Sequence, residues 1–282
     1  MWGYFGYRLT QEASLNLSPD AVYRWSERLA DARWRSARSV RDVVSRNLSL
    51  LLASPPHQQS GRAREVFRSF ARYLVEFFNM HRADRTPVAF DGYAHVEEAS
   101  KAGRGVIVLT AHLGNWELGA AALRRLGHPM AAVALPHANP RIDRLFNRQR
   151  EACGIRVIPT GARAVQQSLR VLRQGAILGL LGDADFGHDT VSTSVGRVQL
   201  SMPRGPAVLS FRAQAPVVPV FLVREGPWRF TLYCEPPIWP ERTQSATAWI
   251  TRAMQAYASS FERYLLRYPD QWLMFRPVTA AG

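Results

Sequence analysis

The sequence predicts an α/β protein with a mainly parallel central sheet, helices on both faces, and an N-terminal helical region. Three observations carry this. From Val88 onward, short apolar runs alternate with stretches of helical periodicity, the pattern of successive βαβ units. The runs Val106–Leu109 and Ala176–Leu181 are apolar throughout, as strands covered on both faces are. Upstream of Val88 the signals are mostly helix starts and helical stripes. At 282 residues the chain can bury one large core. No linker, repeat or low-complexity run divides it. The expected layout is a helical region over 1–87 packing on an α/β core over 88–282, one continuous domain overall.

In chain order, Met1 to Arg8 is aromatic and almost uncharged, which suits either tucking against a core or lying in a membrane interface. Ser18-Pro19-Asp20 is a helix start, with Ser as N-cap and Pro at the first position. That helix runs to about Ala32 and a second from about Ser39 to Leu52. Between them Arg33-Trp34-Arg35 and Arg38 read as a solvated helix end or a headgroup-facing patch. Ser60 to about Arg82 is a long helix, with Val66, Phe70, Tyr73, Leu74, Phe77 and Phe78 along one side, a core-facing stripe.

Val88–Phe90 is a strand and Tyr93–Ala102 a helix. Gly105 to Ala120 then passes from the strand Val106–Leu109 to a helix over about Asn115–Leu126. His112 is therefore expected at the carboxyl end of a strand, where open α/β sheets place ligand sites. Glu117 falls in the first helical turn. A carboxylate beside a histidine fixes its tautomer and stabilises the imidazolium, the requirement for a general base near neutral pH. Glu117 would equally suit a purely capping role.

Met130–Leu135 is the next strand, Arg141–Cys153 a helix rich in arginine, Arg156–Pro159 a strand and Ala162–Arg173 a helix. After the strand Ala176–Leu181, Asp183 and Asp185 lie at another carboxyl end, within reach of the same crevice. Asp183 could instead close an Asx turn. Thr190 to Leu200 reads as a polar excursion. Pro203-Arg204-Gly205-Pro206 opens a helix to about Ala213 whose free N–H groups can hold an anion. Val217–Val223 and Arg229–Tyr233 are the last strands, and Ala246–Leu266 is an amphipathic closing helix.

The formal charge of +14 comes from 36 basic and 22 acidic residues, and Lys101 is the single lysine. Arginine forks suit phosphate and carboxylate. Charge alone does not choose among nucleic acid, anionic lipid and phosphorylated small molecules. Cys153 and Cys234 show no metal or disulfide spacing, which fits a reduced compartment. The intervals of 16 and 9 residues among His112, His128 and His137 match no usual ligand pattern. Neither a signal-peptide pattern nor an apolar run of spanning length is visible, so any membrane association is expected to be peripheral.

His112-Leu-Gly-Asn115-Trp-Glu117 resembles the H-x4-D/E motif of the lysophospholipid acyltransferase superfamily. Its GNWE form is similar to the bacterial lipid A late acyltransferases and the phosphatidylinositol mannoside acyltransferases. The likeness continues in order: Arg150-Glu-Ala-Cys-Gly154-Ile155, then Gly182-Asp183-Ala-Asp185-Phe-Gly187, Pro203-Arg204-Gly205-Pro206-Ala207, Ala215–Val220 and Tyr268-Pro269-Asp270-Gln271-Trp272, with a weaker echo at Arg46-Asn47-Leu48. Ser194-Val195-Gly196 departs from an aromatic motif of that family.

The resemblance implies acyl transfer from the thioester of acyl carrier protein or coenzyme A to a hydroxyl of a membrane glycolipid or lipid A-like acceptor. It implies His112 as base with Glu117 orienting it, and Asp185 or Asp183 as a further acidic partner. Asn115, Arg150, Asp183, Arg204 and Gly205 are the expected substrate-binding residues, Arg150 as a bidentate phosphate partner. No metal or cofactor beyond the thioester co-substrate is expected. The implied place is the cytoplasmic face of the inner membrane, against an anionic surface. A phospholipid, ornithine-lipid or polyketide-type hydroxyl would use the same chemistry. A basic nucleic-acid-binding module is the reading from another class, but no zinc-knuckle, RNP or helix-turn-helix signal supports it.

Overall fold

The computed structural model describes residues 3–82, 85–184, 189–241 and 245–280. Four helices come first: α1 Tyr4–Asn16, α2 Pro19–Ser36, α3 Arg38–Leu52 and α4 Ser60–Asn79. Ser18 caps α2 by accepting the Ala21 N–H, with Pro19 at the first position, as that tripeptide predicts. The alternating part follows as β1 Val88–Asp91, α5 Tyr93–Lys101, β2 Val106–Thr110, α6 Trp116–Arg125, β3 Met130–Ala134, α7 Pro140–Ala152, β4 Ile155–Pro159, α8 Ala164–Arg173 and β5 Ile177–Leu181. Then come β6 Thr190–Val195, β7 Val198–Pro203, α9 Gly205–Ala213, β8 Val217–Gly226, β9 Arg229–Cys234, α10 Ala246–Arg267 and the short β10 Thr279–Ala280.

Seven strands form the central sheet in the order β1-β9-β8-β2-β5-β3-β4. From β8 to β4 every pairing is parallel, while β9 is antiparallel to β8 and carries β1 parallel to itself. The sheet is thus mainly parallel with a reversed pair at one edge. β2 sits between β8 and β5, covered on both faces, so its side chains alternate between two cores. Val106 and Val108 join Phe77, Val96, Leu118 and Phe146 from α4 to α7. Ile107 and Leu109 join Leu172, Leu209, Trp249 and Phe261 from α8, α9 and α10.

Two segments differ from the sequence-based expectation. Thr190–Leu200 is no irregular excursion, since it supplies β6 and the first half of β7, an antiparallel hairpin. Gly196 has a positive φ of 56° at the turn, which a tight hairpin accepts from glycine. Val195, Val198, Leu200 and Met202 are buried together with Thr193, so exposed serines at the outward positions and a polar residue among the inward ones masked a period-two pattern. The aromatic start is helical and divides the two fates expected of it. Tyr7 tucks in against Phe146 with ring centroids 5.3 Å apart, while Phe5 is 81% exposed.

The connection from β2 to α6 has the tightest packing consequence. Gly114 has φ +63°, and a Cβ there would lie 1.8 Å from the Leu222 carbonyl oxygen. Only glycine lets the backbone pass so close to β8. Gly114→Ala should therefore destabilise the fold by more than the roughly 1–2 kcal/mol that a left-handed alanine costs alone. A thermal melt matching wild type would show that this turn is not constrained as described.

Candidate active site

β2 and β5 are adjacent and parallel, with Thr110 level with Leu181, so the residues just beyond them meet at one end of the sheet. Gly182 N–H donates to the Thr110 carbonyl (2.8 Å), which also accepts from the Tyr257 hydroxyl (2.7 Å). A Cβ on Gly182 would fall 2.7 Å from the Tyr257 ring, so glycine is what lets α10 close over this crossing. Desolvation, with the Asp183 charge adding to it, holds the Tyr257 phenol well above its ordinary value, which keeps it a hydrogen-bond donor.

Beyond that point Asp183 holds His112 twice. Its Oδ1 lies 2.9 Å from His112 Nδ1, and its Oδ2 accepts from the His112 backbone N–H at 3.0 Å. Oδ2 also accepts from the Trp272 indole N–H at 3.0 Å. The Asp183 side chain is fully buried, whereas that of His112 is 19% exposed, so substrate can reach the imidazole and not the carboxylate. Burial by itself would raise the Asp183 carboxyl. The histidine's charge and the three hydrogen bonds outweigh it and hold the carboxyl below its ordinary value. The Trp116 ring meets the imidazole edge-on, centroids 4.9 Å apart, and stacks on Tyr73 on its other side at 4.6 Å.

The turn carrying His112 is bracketed by two elements. Gly114 N–H donates to the Gln271 carbonyl and Asn115 N–H to that of Leu222, while Leu273 N–H donates to the His112 carbonyl. Asn115 caps α6 by accepting from Leu118 N–H at 3.0 Å. Its amide donates to Glu76 Oε2 (2.9 Å) and to the Tyr73 carbonyl. Glu76 is wholly buried and also accepts from the Arg224 guanidinium and the Tyr23 hydroxyl. Gln271 in turn clamps the Arg224 backbone through both ends of its amide.

Two expected roles need correction. Glu117 lies in the first turn of α6 as predicted, but the carboxylate on the histidine's Nδ1 is Asp183. Arg150, from the last turn of α7, donates to Glu117 from both Nε and Nη2, the closest contact being 2.6 Å. Both side chains are nearly buried. The Arg150 fork expected to meet a phosphate is thus spent on Glu117, and its remaining Nη1 donates to Asn147. Burial would lower the Arg150 guanidinium, yet the Glu117 charge and hydrogen bonds raise it above its ordinary value. Arg204 precedes α9 and donates to Asp189, and Gly205 is that helix's first residue. Asp185 lies outside the described residues.

Among the described residues no group of three or more metal-ligating side chains comes together. His128 pairs with the Tyr93 hydroxyl, and His137 packs on Phe146. The sequence reading missed Glu76, Arg224 and the indole of Trp272 as parts of the site. Glu76 did leave a signal, an acid flanked by Val75, Phe77 and Phe78 on a helix bound for the core, because lone buried acids need partners.

The chain is similar to known proteins along nearly its whole length. A family model described as bacterial lipid A biosynthesis acyltransferase matches residues 3–278. A phosphatidylinositol mannoside acyltransferase of Mycolicibacterium smegmatis is 27% identical over 257 residues, covering 88% of this chain and 82% of that protein. Its counterpart in Mycobacterium tuberculosis is 26% identical over 257 residues, covering 87% and 79%. The lipid A biosynthesis palmitoleoyltransferase of Escherichia coli is 25% identical over 245 residues, covering 83% and 76%. With the match running nearly end to end, the chain belongs to the bacterial lipid A biosynthesis acyltransferase family and is an acyltransferase.

Proposed function

We propose that the protein moves a fatty acyl chain from the thioester of acyl carrier protein or coenzyme A to a hydroxyl of a membrane glycolipid, with His112 as general base. The supporting observation is the double hold of Asp183 on His112. A carboxylate on Nδ1 fixes the proton there and leaves Nε2 as the basic nitrogen. Nε2 takes the proton of the acceptor hydroxyl as its oxygen attacks the thioester carbonyl. The tetrahedral intermediate then collapses, the C–S bond breaks, and the imidazolium returns the proton to the thiolate. Asp183 stabilises the imidazolium between these steps.

Direct transfer suits the cysteines. Burial pushes the Cys153 thiol up to about 11 and that of Cys234 up to about 12, so neither is a ready nucleophile at neutral pH. The glycolipid acceptor is taken from the names of the relatives. In this reading no cofactor beyond the thioester co-substrate takes part. Arg204 and the start of α9 at Gly205 offer a place for an anionic part of a substrate. No helix among the described residues is long and apolar enough to cross a membrane, and the reading places the protein peripherally on the cytoplasmic face. The direct test is to incubate purified protein with acyl thioester and a mannosylated or lipid A-type acceptor and weigh the product by mass spectrometry. No mass gain on either acceptor class would reject the glycolipid reading.

His112→Ala and Asp183→Asn should each lower turnover by about 10²-fold or more, the range for losing a general base or its tautomer control. Near-normal turnover in either would remove that residue from the mechanism. Because the folded-state value of Asp183 is depressed, its contribution to stability is present above its unfolded-state value and lost as pH falls. Wild-type melting temperature should therefore drop below about pH 4, and Asp183→Asn should flatten part of that drop. An unchanged slope would mean the carboxylate is not held as charged.

Glu117→Gln leaves Arg150 buried without its counter-charge, a loss of about 3–5 kcal/mol for such pairs. Its melting temperature should fall by several degrees. Replacing the pair by Glu117→Leu with Arg150→Met should recover much of that stability. A Glu117→Gln melt equal to wild type, with turnover reduced as in Asp183→Asn, would return Glu117 to the histidine.

A further inference from the structure

α1 is turned inside out. Tyr7, Thr10 and Ser14 are its buried residues, while Phe5 (81% exposed) and Leu9 (57%) point to solvent one turn apart. Beside that apolar strip runs a cleft between α1 and α7, lined by Tyr4, Arg8, Gln11, Arg141, Arg144 and Arg148. Arg141, Arg144 and Arg148 lie on one exposed face of α7, and Arg141 sits over the Tyr4 ring at 5.9 Å. No carboxylate pairs with Arg144 or Arg148 among the described residues, whereas Arg150 on the inner face is taken by Glu117.

We propose that the α1–α7 face is the surface by which the protein docks on an anionic bilayer, Phe5 and Leu9 entering the interface while Arg141, Arg144 and Arg148 meet lipid phosphates and Arg8 stays paired with Glu12. The pairing of the two features selects the partner. A soluble polyanion would meet the arginines but offers nothing to an exposed phenylalanine and leucine. A membrane interface takes both, because apolar side chains sink to the acyl boundary while basic ones stay at the headgroups. The face also lies near the chemistry. α7 runs from the exposed arginines to Arg150, and through Glu117 to the first turn of α6 beside His112. The proposal rests on the membrane-acceptor reading for its purpose, but not for its test.

The test is flotation of purified protein with vesicles of phosphatidylcholine alone, and of phosphatidylcholine mixed with phosphatidylglycerol, at low and high salt and without substrate. Wild type should bind the mixed vesicles preferentially and be released by salt. Phe5→Ser with Leu9→Ser, and Arg144→Gln with Arg148→Gln, should each weaken binding by about tenfold or more, since each arginine near an anionic surface contributes roughly fivefold. Arg170→Gln with Arg173→Gln, an equal charge loss on α8 across the sheet, should leave binding unchanged. All these residues are exposed, and melting temperatures should confirm that the fold is kept. Vesicle binding unaffected by Phe5→Ser with Leu9→Ser, or lowered as much by the α8 pair, overturns the proposal. So does an arginine pair that weakens binding of an acidic carrier protein while leaving vesicle binding intact. A protein that docks as described but transfers no acyl chain would sink the functional reading and leave this one standing.

Discussion

The structure hinges on a carboxylate that sees no solvent. Glu76, on α4, accepts from Arg224 at the end of β8, from Tyr23 on α2 and from Asn115 at the start of α6. Burying an acid and a guanidinium costs several kcal/mol per ion, offset only where geometry and hydrogen bonds are nearly complete. Here both Glu76 oxygens are bonded. Burial would lower the Arg224 guanidinium, yet the Glu76 charge raises it above its ordinary value. Four elements that are distant in sequence are thereby fixed to one point. One of them, Asn115, is the cap that sets where α6 begins, and so where the preceding turn aims His112. The N-terminal helices bear directly on the geometry of the site.

Around that point the molecule separates two acidic tasks that a short motif would merge. Asp183 is buried, charged and shared between His112 and Trp272, and it governs the histidine. Glu117, five residues after His112 in the chain, governs Arg150 and with it the docking of α7 on α6. The distinction follows from the sheet order. β5 inserts beside β2, which delivers Asp183 to the imidazole along the strand ends. α6 carries Glu117 away from the strand axis toward α7. A guanidinium fork that can take both oxygens of a nearly buried carboxylate is a strong competitor for that carboxylate.

How far this was legible in the sequence depends on which interactions are local. The wholly apolar runs that became β2 and β5 announced strands covered on both sides, and Ser18-Pro19 announced a helix start, because those signals lie within a few residues. The motif order placed His112 and Asp183 at strand ends for the same reason. Strand adjacency is not local. Nothing in the spacing of His112, Glu117, Asp183 and Asp185 says which carboxylate stands beside the ring. α1 escaped notice because its inward positions include Thr10 and Ser14, and the β6–β7 hairpin because its outward serines and the buried Thr193 hid the inward valines, leucine and methionine. Glu76 was passed over within an aromatic stripe, although an acid there has no stable place without the partners it turned out to have.

The arginine surplus resolves into populations that composition alone could not separate. Arg150 and Arg224 are interior parts, each neutralising one buried acid. Arg64 and Arg68 converge on Asp31, whose carboxyl they hold well below its ordinary value through hydrogen bonds, joining α2 to α4. Arg150 and Arg224 each cancel locally, Asp31 offsets one of the two charges that meet on it, and Glu65 stands 3.7 Å from Arg68, so this group contributes little to the field outside the protein. The net charge of +14 must then be carried by exposed arginines without acidic partners. Charges of that kind, screened over roughly 10 Å at 0.1 M salt, act only on what lies against them, so the placement of each basic cluster matters more than the total.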